Sequence, residues 1–241
     1  MISFKKRCRL EEAMDDPSLE KEKLGAVFRD LNRTNLILGG QRITLHAAGG
    51  LLARFPRDSY SIIDMGCGDG DLLRRLARNC RKAQIEASFL GIDNSMAALE
   101  LAAAKSVEFP EIQYRKASIL ELDYQKHSCD ILLCTLTLHH FTDRDISTLL
   151  QSFTCMARLG VVINDLQRNR LAYYLFHVFS LIFIKTKIAK QDGLISIRRG
   201  FLREELHCFS SAVPDFDHRI RWRWVFRYLW VMQAKAVPLH E

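Results

Sequence analysis

The chain has 241 residues, of which 48% are hydrophobic and 26% charged, a balance that excludes a disordered polymer and fits a single α/β core with decorations. Its formal net charge of +7 would favour an anionic partner, but the basic residues are scattered rather than gathered into one footprint, so a nucleic-acid role is disfavoured. The 7 cysteines contain no Cys-x-x-Cys pair, which argues against a zinc knuckle or disulfide framework and predicts reduced thiols, no bound metal and a cytoplasmic setting.

In chain order, the opening Met1-Ile2-Ser3-Phe4-Lys5-Lys6-Arg7 turns acidic without the apolar stretch of a signal peptide, so none is expected. Asp16-Pro17 predicts a helix start, an N-cap acceptor followed by proline, and Leu24, Val27, Phe28 and Leu31 continue at helical spacing to a stop at Gly39-Gly40. A second helix is expected over Arg42 to Phe55, ended by Pro56. Strands are then predicted at Ser61–Ile63, Ala87–Ile92, Ile112–Lys116, Ile131–Leu136 and Leu159–Ile163, alternating with helices at Leu72–Cys80, Ser95–Lys105 and Asp143–Arg158. Such alternation implies a parallel sheet covered on both faces.

Residues 167–200 interrupt the pattern. Leu171, Tyr173, Tyr174, Leu175, Phe176, Val178, Phe179, Leu181, Ile182 and Phe183 make a helix apolar all round, which must be buried or cover something apolar. It is too short to cross about 30 Å of hydrocarbon, so no membrane span is expected. It is a candidate lid over an apolar substrate, with core packing or dimerisation as the equal alternative. Arg219 to Trp224 then alternates basic and apolar, the pattern of an outermost strand with one wet face, and Tyr228 to Ala234 is its buried antiparallel partner. The expected fold is α/β, a Rossmann-like, seven-stranded, mostly parallel sheet with an antiparallel C-terminal hairpin. Residues 1–56 form a helical cap and 57–241 the core, with 167–200 as lid insertion.

The strongest chemical signal is Ile62-Ile63-Asp64-Met65-Gly66-Cys67-Gly68-Asp69-Gly70-Asp71, a strand entering a glycine-rich turn and then a helix. Glycines let a ligand approach backbone N–H groups at a helix N-terminus. A dinucleotide fingerprint G-x-G-x-x-G would need glycine where Asp71 or Leu73 stands, and no Gly-Lys-Ser/Thr follows to hold triphosphate. Asp64, Asp69 and Asp71 make the loop acidic, suiting a cationic ligand such as adenosylmethionine. The next strand ends in Asp93, followed by Asn94. The Asp93 carboxylate either accepts hydrogen bonds from ribose hydroxyls or caps the helix near Ser95.

These residues resemble the class I S-adenosylmethionine-dependent methyltransferases, in particular the stand-alone small-molecule group that acts on quinones and polyketides. The resemblance covers about residues 57 to 165. It implies S-adenosylmethionine as cofactor, S-adenosylhomocysteine as product, and cofactor contacts from Asp64, Gly66, Cys67, Gly68, Gly70, Asp93 and Asn94. Ala117-Ser118 aligns with the adenine segment, Ser118 standing where the family often has an acid. Cys134-Thr135-Leu136-Thr137-Leu138-His139-His140-Phe141 aligns with the fourth-strand motif, giving Cys134 and Thr135 as further contacts. That motif lacks the Asn/Asp/Ser-Pro-Pro-aromatic of base-amino methylases. Asn35 and Gly40 either line the cofactor entrance or form an ordinary helix end.

His139 and His140 stand where an acceptor would meet the methyl group. Imidazole could take the acceptor's proton, or the two could merely pack and support the loop. Asn164, Asp165 and Arg168 at the fifth strand end are further candidate substrate contacts, Asp165 alternatively pairing with Arg168. The expected reaction is methyl transfer to oxygen or carbon of a small, aromatic or hydrophobic acceptor, free or carrier-bound, by a monomer or homodimer. The alternatives are an RNA or protein methyltransferase and a non-catalytic adenosylmethionine-binding protein.

Overall fold

The computed structural model describes residues 3–124 and 127–234; the expected end of the core at 241 lies outside them. Helices α1 (Lys21–Ile37) and α2 (Gly40–Arg54) precede β1 (Ser59–Met65), α3 (Asp71–Lys82), β2 (Glu86–Asp93), α4 (Met96–Lys105), β3 (Ile112–Lys116), β4 (Cys129–Thr135), α5 (Asp143–Met156) and β5 (Ala157–Leu166). There follow α6 (Arg170–Phe183), α7 (Lys187–Arg199), α8 (Arg203–Ser210), β6 (Phe216–Arg223) and β7 (Arg227–Ala234). The seven strands run in the order β3-β2-β1-β4-β5-β7-β6, parallel through β5, with β7 antiparallel to β5 and β6 antiparallel to β7. The expected sheet and closing hairpin are therefore present.

Strand alternation sorts the core into two layers. Ile62, Ile131, Leu133 and Val162 face Leu51 and Leu52 of α2 and Leu73 and Leu76 of α3. Ile63, Leu132, Cys134, Val161 and Ile163 face Leu149, Leu150 and Phe153 of α5 and Leu206 and Phe209 of α8. Helix α2 is thus one of the sheet's covering helices, while α1 packs on α4, α2 and α7. At the outer edge Arg219 and Arg221 are exposed and Ile220 is buried, but Trp222 and Trp224 also remain open to solvent.

One predicted boundary moves. Helix α1 begins at Lys21, not at Asp16-Pro17, because the Asp16 carboxylate accepts from the Ser18 N–H at 2.8 Å and the Ser18 hydroxyl at 2.7 Å. This local turn competes with the helix for the same donors. At the far end Gly39 adopts φ +69°, and α2 starts directly after it.

The insertion folds as an antiparallel pair, α6 and α7. Gly193 lies inside α7 because a Cβ there would sit 2.3 Å from the Phe176 ring. Of the two alternatives read for α6, burial within the core does not hold. Only Ala172 and Ser180 are buried, and Leu171, Tyr174, Leu175, Val178, Leu181 and Ile182 are exposed. A surface helix pair covers its inner stripe and has nothing above the outer one. No helix among the described residues is long and apolar enough to cross a membrane.

Candidate active site

The carboxyl ends of β1, β2 and β4 open into a cavity of about 780 Å³, in the upper part of the range for small-molecule sites. Its floor is Asp64, Gly66, Cys67, Gly68, Asp93, Asn94, Ser118 and Thr135, all expected cofactor contacts. Gly66 and Gly68 have φ +74° and +52°, and a Cβ would come within 2.3 Å of Thr137 Oγ1 at Gly66 and 2.8 Å of the Phe28 ring at Gly68. Both positions combine a left-handed backbone with no room for a side chain.

Asp93 ties the glycine loop to the start of α4, and the cap of that helix is Ser95 rather than Asp93. Its Oδ2 accepts from the Gly68 N–H at 2.8 Å and its Oδ1 from the Ser95 N–H at 2.9 Å, while the Ser95 hydroxyl caps α4. Each carboxylate oxygen keeps acceptor capacity beyond these bonds, and Asp93 lines the cavity. Burial raises its pKa against the pull of these backbone donors.

The acidity of the loop is narrower than the sequence implies. Asp69 is bound by Lys105 Nζ at 2.6 Å and Asn32 Nδ2 at 2.9 Å, and Asp71 by Arg75 at 2.8 Å. Asp64 alone lacks a cation: it is buried, its Oδ1 has no hydrogen-bond partner, and burial, then the Asp93 charge, push its pKa up to about 8.

Three expected contacts do not line the cavity. Gly70 is the left-handed N-cap of α3, where a Cβ would strike the Tyr114 hydroxyl. Ala117 packs on the core, and Cys134 points into it, because strand alternation turns Thr135 toward α2 and its neighbour away. Asn164, Asp165 and Arg168 are likewise absent from the wall. Asn164 ties β5 to α2 through the Gly40 carbonyl at 2.8 Å. Arg168 binds Glu205 and the carbonyls of Phe4 and Gly200, not Asp165. Asn35 is among the lining residues; Gly40 is not, and instead leaves room for Arg227, whose guanidinium donates to Asn35 Oδ1 at 2.8 Å.

His139 and His140 form a short 3-10 turn at the cavity's other end. His139 is buried, with Nδ1 2.7 Å from Asp165 Oδ1 and Nε2 3.4 Å from Glu12 Oε1. Against the cost of burial, these carboxylates raise its pKa to about 9, so without other ligands it keeps its proton at neutral pH. That is contrary to the expectation of a free base. His140 is partly exposed, with Nδ1 2.9 Å from Asp15 Oδ2. The turn is preceded by Leu136 at φ +55°, a strained conformation for a leucine. It is clamped by Arg199, which donates to the carbonyls of His139 and His140, and by Arg7, which donates to those of His139 and Phe141.

Glu12, Asp15, Asp192 and Arg227 line the cavity and were not singled out from the sequence. Asp192 fixes the irregular segment carrying Glu12 by accepting from the Ala13 and Met14 N–H groups of the short 3-10 turn that follows it, each at 2.9 Å. The one local signal was Gly193, a glycine inside a helical pattern. An apolar part of the wall is formed by Leu175, Phe176, Phe179, Ile197, Val225 and Phe226. All 7 cysteines are free thiols.

Comparison with known proteins agrees with this architecture. Residues 62–160 match the family model described as a methyltransferase domain. The carboxy-S-adenosyl-L-methionine synthase of Wolinella succinogenes is 30% identical over 118 residues, 48% of this chain and 47% of that protein. The chain thus spans about half the length of the curated relatives it matches first. Among solved structures, a plantazolicin methyltransferase in complex with SAH has a TM-score of 0.68 at 15% identity, covering 92% of this chain and 94% of that one. Magnesium protoporphyrin IX methyltransferase from Synechocystis PCC 6803, with bound SAH, has a TM-score of 0.57 at 16% identity, covering 82% and 84%. With the domain match and the sheet order, residues 62–160 carry a methyltransferase domain within a fold of the class I S-adenosylmethionine-dependent type.

Proposed function

We propose that this protein methylates oxygen or carbon of a small aromatic or hydrophobic acceptor. The observation that carries the acceptor class is the wall opposite the glycine loop. Leu175, Phe176, Phe179, Ile197, Val225 and Phe226 line it, and Arg227 is the only Lys or Arg among the described lining residues. An RNA substrate would need a ring of cations to meet its phosphates.

The floor fits the cofactor on two counts: Gly66 and Gly68 leave a cradle that a Cβ would fill, and Asp64 offers a buried, unpaired carboxyl to a cation. When bound, S-adenosylmethionine supplies a methyl group already activated on a sulfonium. Asp93 would hold the ribose hydroxyls, Ser118 the adenine edge, and Asp64 the ammonium. Arg227, whose Nη1 is buried without a partner, would take the carboxylate. The lid helices exclude water, and His140 presents its ring to the acceptor end.

The test is S-adenosylhomocysteine release with a panel of alkylphenols, hydroquinones and hydroxypyrones, against total RNA and peptides. Turnover confined to the phenolic panel is expected; turnover confined to RNA or peptide would refute the acceptor class. Calorimetric titration with S-adenosylhomocysteine separately tests the floor. Asp93→Ala should weaken binding about ten- to thirtyfold, the loss of charge-assisted hydrogen bonds worth about 1.5–2 kcal/mol. Wild-type affinity in this variant would remove Asp93 from the cofactor site.

A further inference from the structure

We propose that Glu12, His139 and His140 form a binding site for one divalent metal of the zinc class, at the acceptor end of the cavity. Their donor atoms all lie within 4.8 Å of one another. Glu12 Oε1 is 3.4 Å from His139 Nε2 and 3.9 Å from His140 Nε2. A tetrahedral ion with bonds of about 2.0–2.1 Å separates its ligand atoms by about 3.3 Å, so the three donors stand close to the spacing that such an ion requires.

The second shell points the same way. His139 Nδ1 faces Asp165 at 2.7 Å and His140 Nδ1 faces Asp15 at 2.9 Å. A carboxylate on Nδ1 holds the proton on that nitrogen, so a metal ion that displaces the proton from Nε2 meets its lone pair, the arrangement common to metal-bound histidines. His139 Nε2, buried, faces the Glu12 carboxylate at 3.4 Å without making a well-formed hydrogen bond to it, an arrangement that an ion between the two would complete. Glu12 is in turn oriented by the Ser196 hydroxyl at 2.8 Å. Two imidazoles and one carboxylate are a borderline-soft set that suits zinc and its neighbours rather than magnesium or calcium.

All three ligands line the cavity, so the fourth position faces the acceptor. Three protein ligands with one open position are the pattern of catalytic rather than structural zinc. There an acceptor hydroxyl would give up its proton to water near neutral pH, as metal-bound water does. This use rests on the methyl-transfer reading; metal binding itself does not.

The experiment is therefore done without cofactor or acceptor. Chelator-treated protein is titrated with Zn²⁺ by calorimetry and with Co²⁺ by visible absorption. The expected result is one ion per chain, with the intense ligand-field bands of a four- or five-coordinate cobalt site and no thiolate charge-transfer band. His140→Gln and Glu12→Gln should weaken binding at least about a hundredfold, and Asp15→Asn, at a partly exposed orienting carboxylate, about tenfold. Titration with S-adenosylhomocysteine establishes that each variant is folded. Failure of the wild type to take up either metal at micromolar concentration, or wild-type affinity in both His140→Gln and Glu12→Gln, overturns the site.

Discussion

Gly66→Ala should lower affinity for S-adenosylhomocysteine at least about a hundredfold, whereas Gly39→Ala should leave it unchanged. The two glycines have nearly the same backbone, φ +74° and +69°, so each alanine carries a similar left-handed cost of about 1–2 kcal/mol. They differ in their surroundings. A Cβ at Gly39 meets nothing within 4 Å, while one at Gly66 lies 2.3 Å from Thr137 Oγ1 and 2.4 Å from its Cγ2. Relief requires the β1 loop and the β4 loop to separate, which moves the Gly66 to Gly68 backbone and frees the Gly68 N–H from Asp93. The pair therefore separates backbone strain from loss of the cradle. Thermal denaturation should show a modest loss of stability in both, and calorimetry a binding defect in Gly66→Ala alone. Wild-type affinity in Gly66→Ala would mean that the glycine loop is not the cofactor floor.

Most of the sheet was legible because each strand is a short apolar run and the runs alternate with amphipathic helices. The hairpin was legible from the change of period at Arg219. What failed were inferences about direction. Cys134 sits in a motif that reaches the cavity, yet the two-residue repeat of β4 sends its side chain into the core and gives the cavity to Thr135. The acidic loop looked like three free carboxylates, but Lys105 and Asn32 neutralise or occupy Asp69, and Arg74 and Arg75 engage Asp71. Those partners come from another helix or from one turn further on, and sequence proximity does not weigh them. The largest omission, Glu12, lies in an irregular segment far upstream of the histidines it meets. It is placed only by the tertiary contacts of Asp192 and Ser196. The apolar pattern of α6 did not separate its two faces: Phe176 and Phe179 are partly buried, while Val178, Leu181 and Ile182 on the outer stripe are exposed.

Affinity for S-adenosylhomocysteine should rise with pH, by up to about tenfold per unit between pH 6 and 8, and then level off. The cause is Asp64. In the unfolded chain a carboxyl of this type titrates near about 3.9; in the empty protein burial, reinforced by the negative charge of Asp93, holds it protonated up to about 8. The sign follows from proton counting. Between these values the folded state keeps a proton that the unfolded state has lost, so the stability of the empty protein falls as pH rises through this window. Asp64→Asn removes that slope and should stabilise the empty protein at pH 8 by about 1–3 kcal/mol, since an amide in the same space carries no charge to bury. A ligand ammonium reverses the balance: it prefers the carboxylate, so at pH 7 binding must expel the proton. Calorimetry in buffers of different ionisation heat should therefore record close to one proton released at pH 7. In Asp64→Asn the release should vanish and the affinity should become weaker and flat with pH. A wild-type affinity that does not change between pH 6 and 8, with no proton released, would show that the ammonium is not held by Asp64 and would leave the buried carboxyl as a purely structural acid beneath the glycine loop.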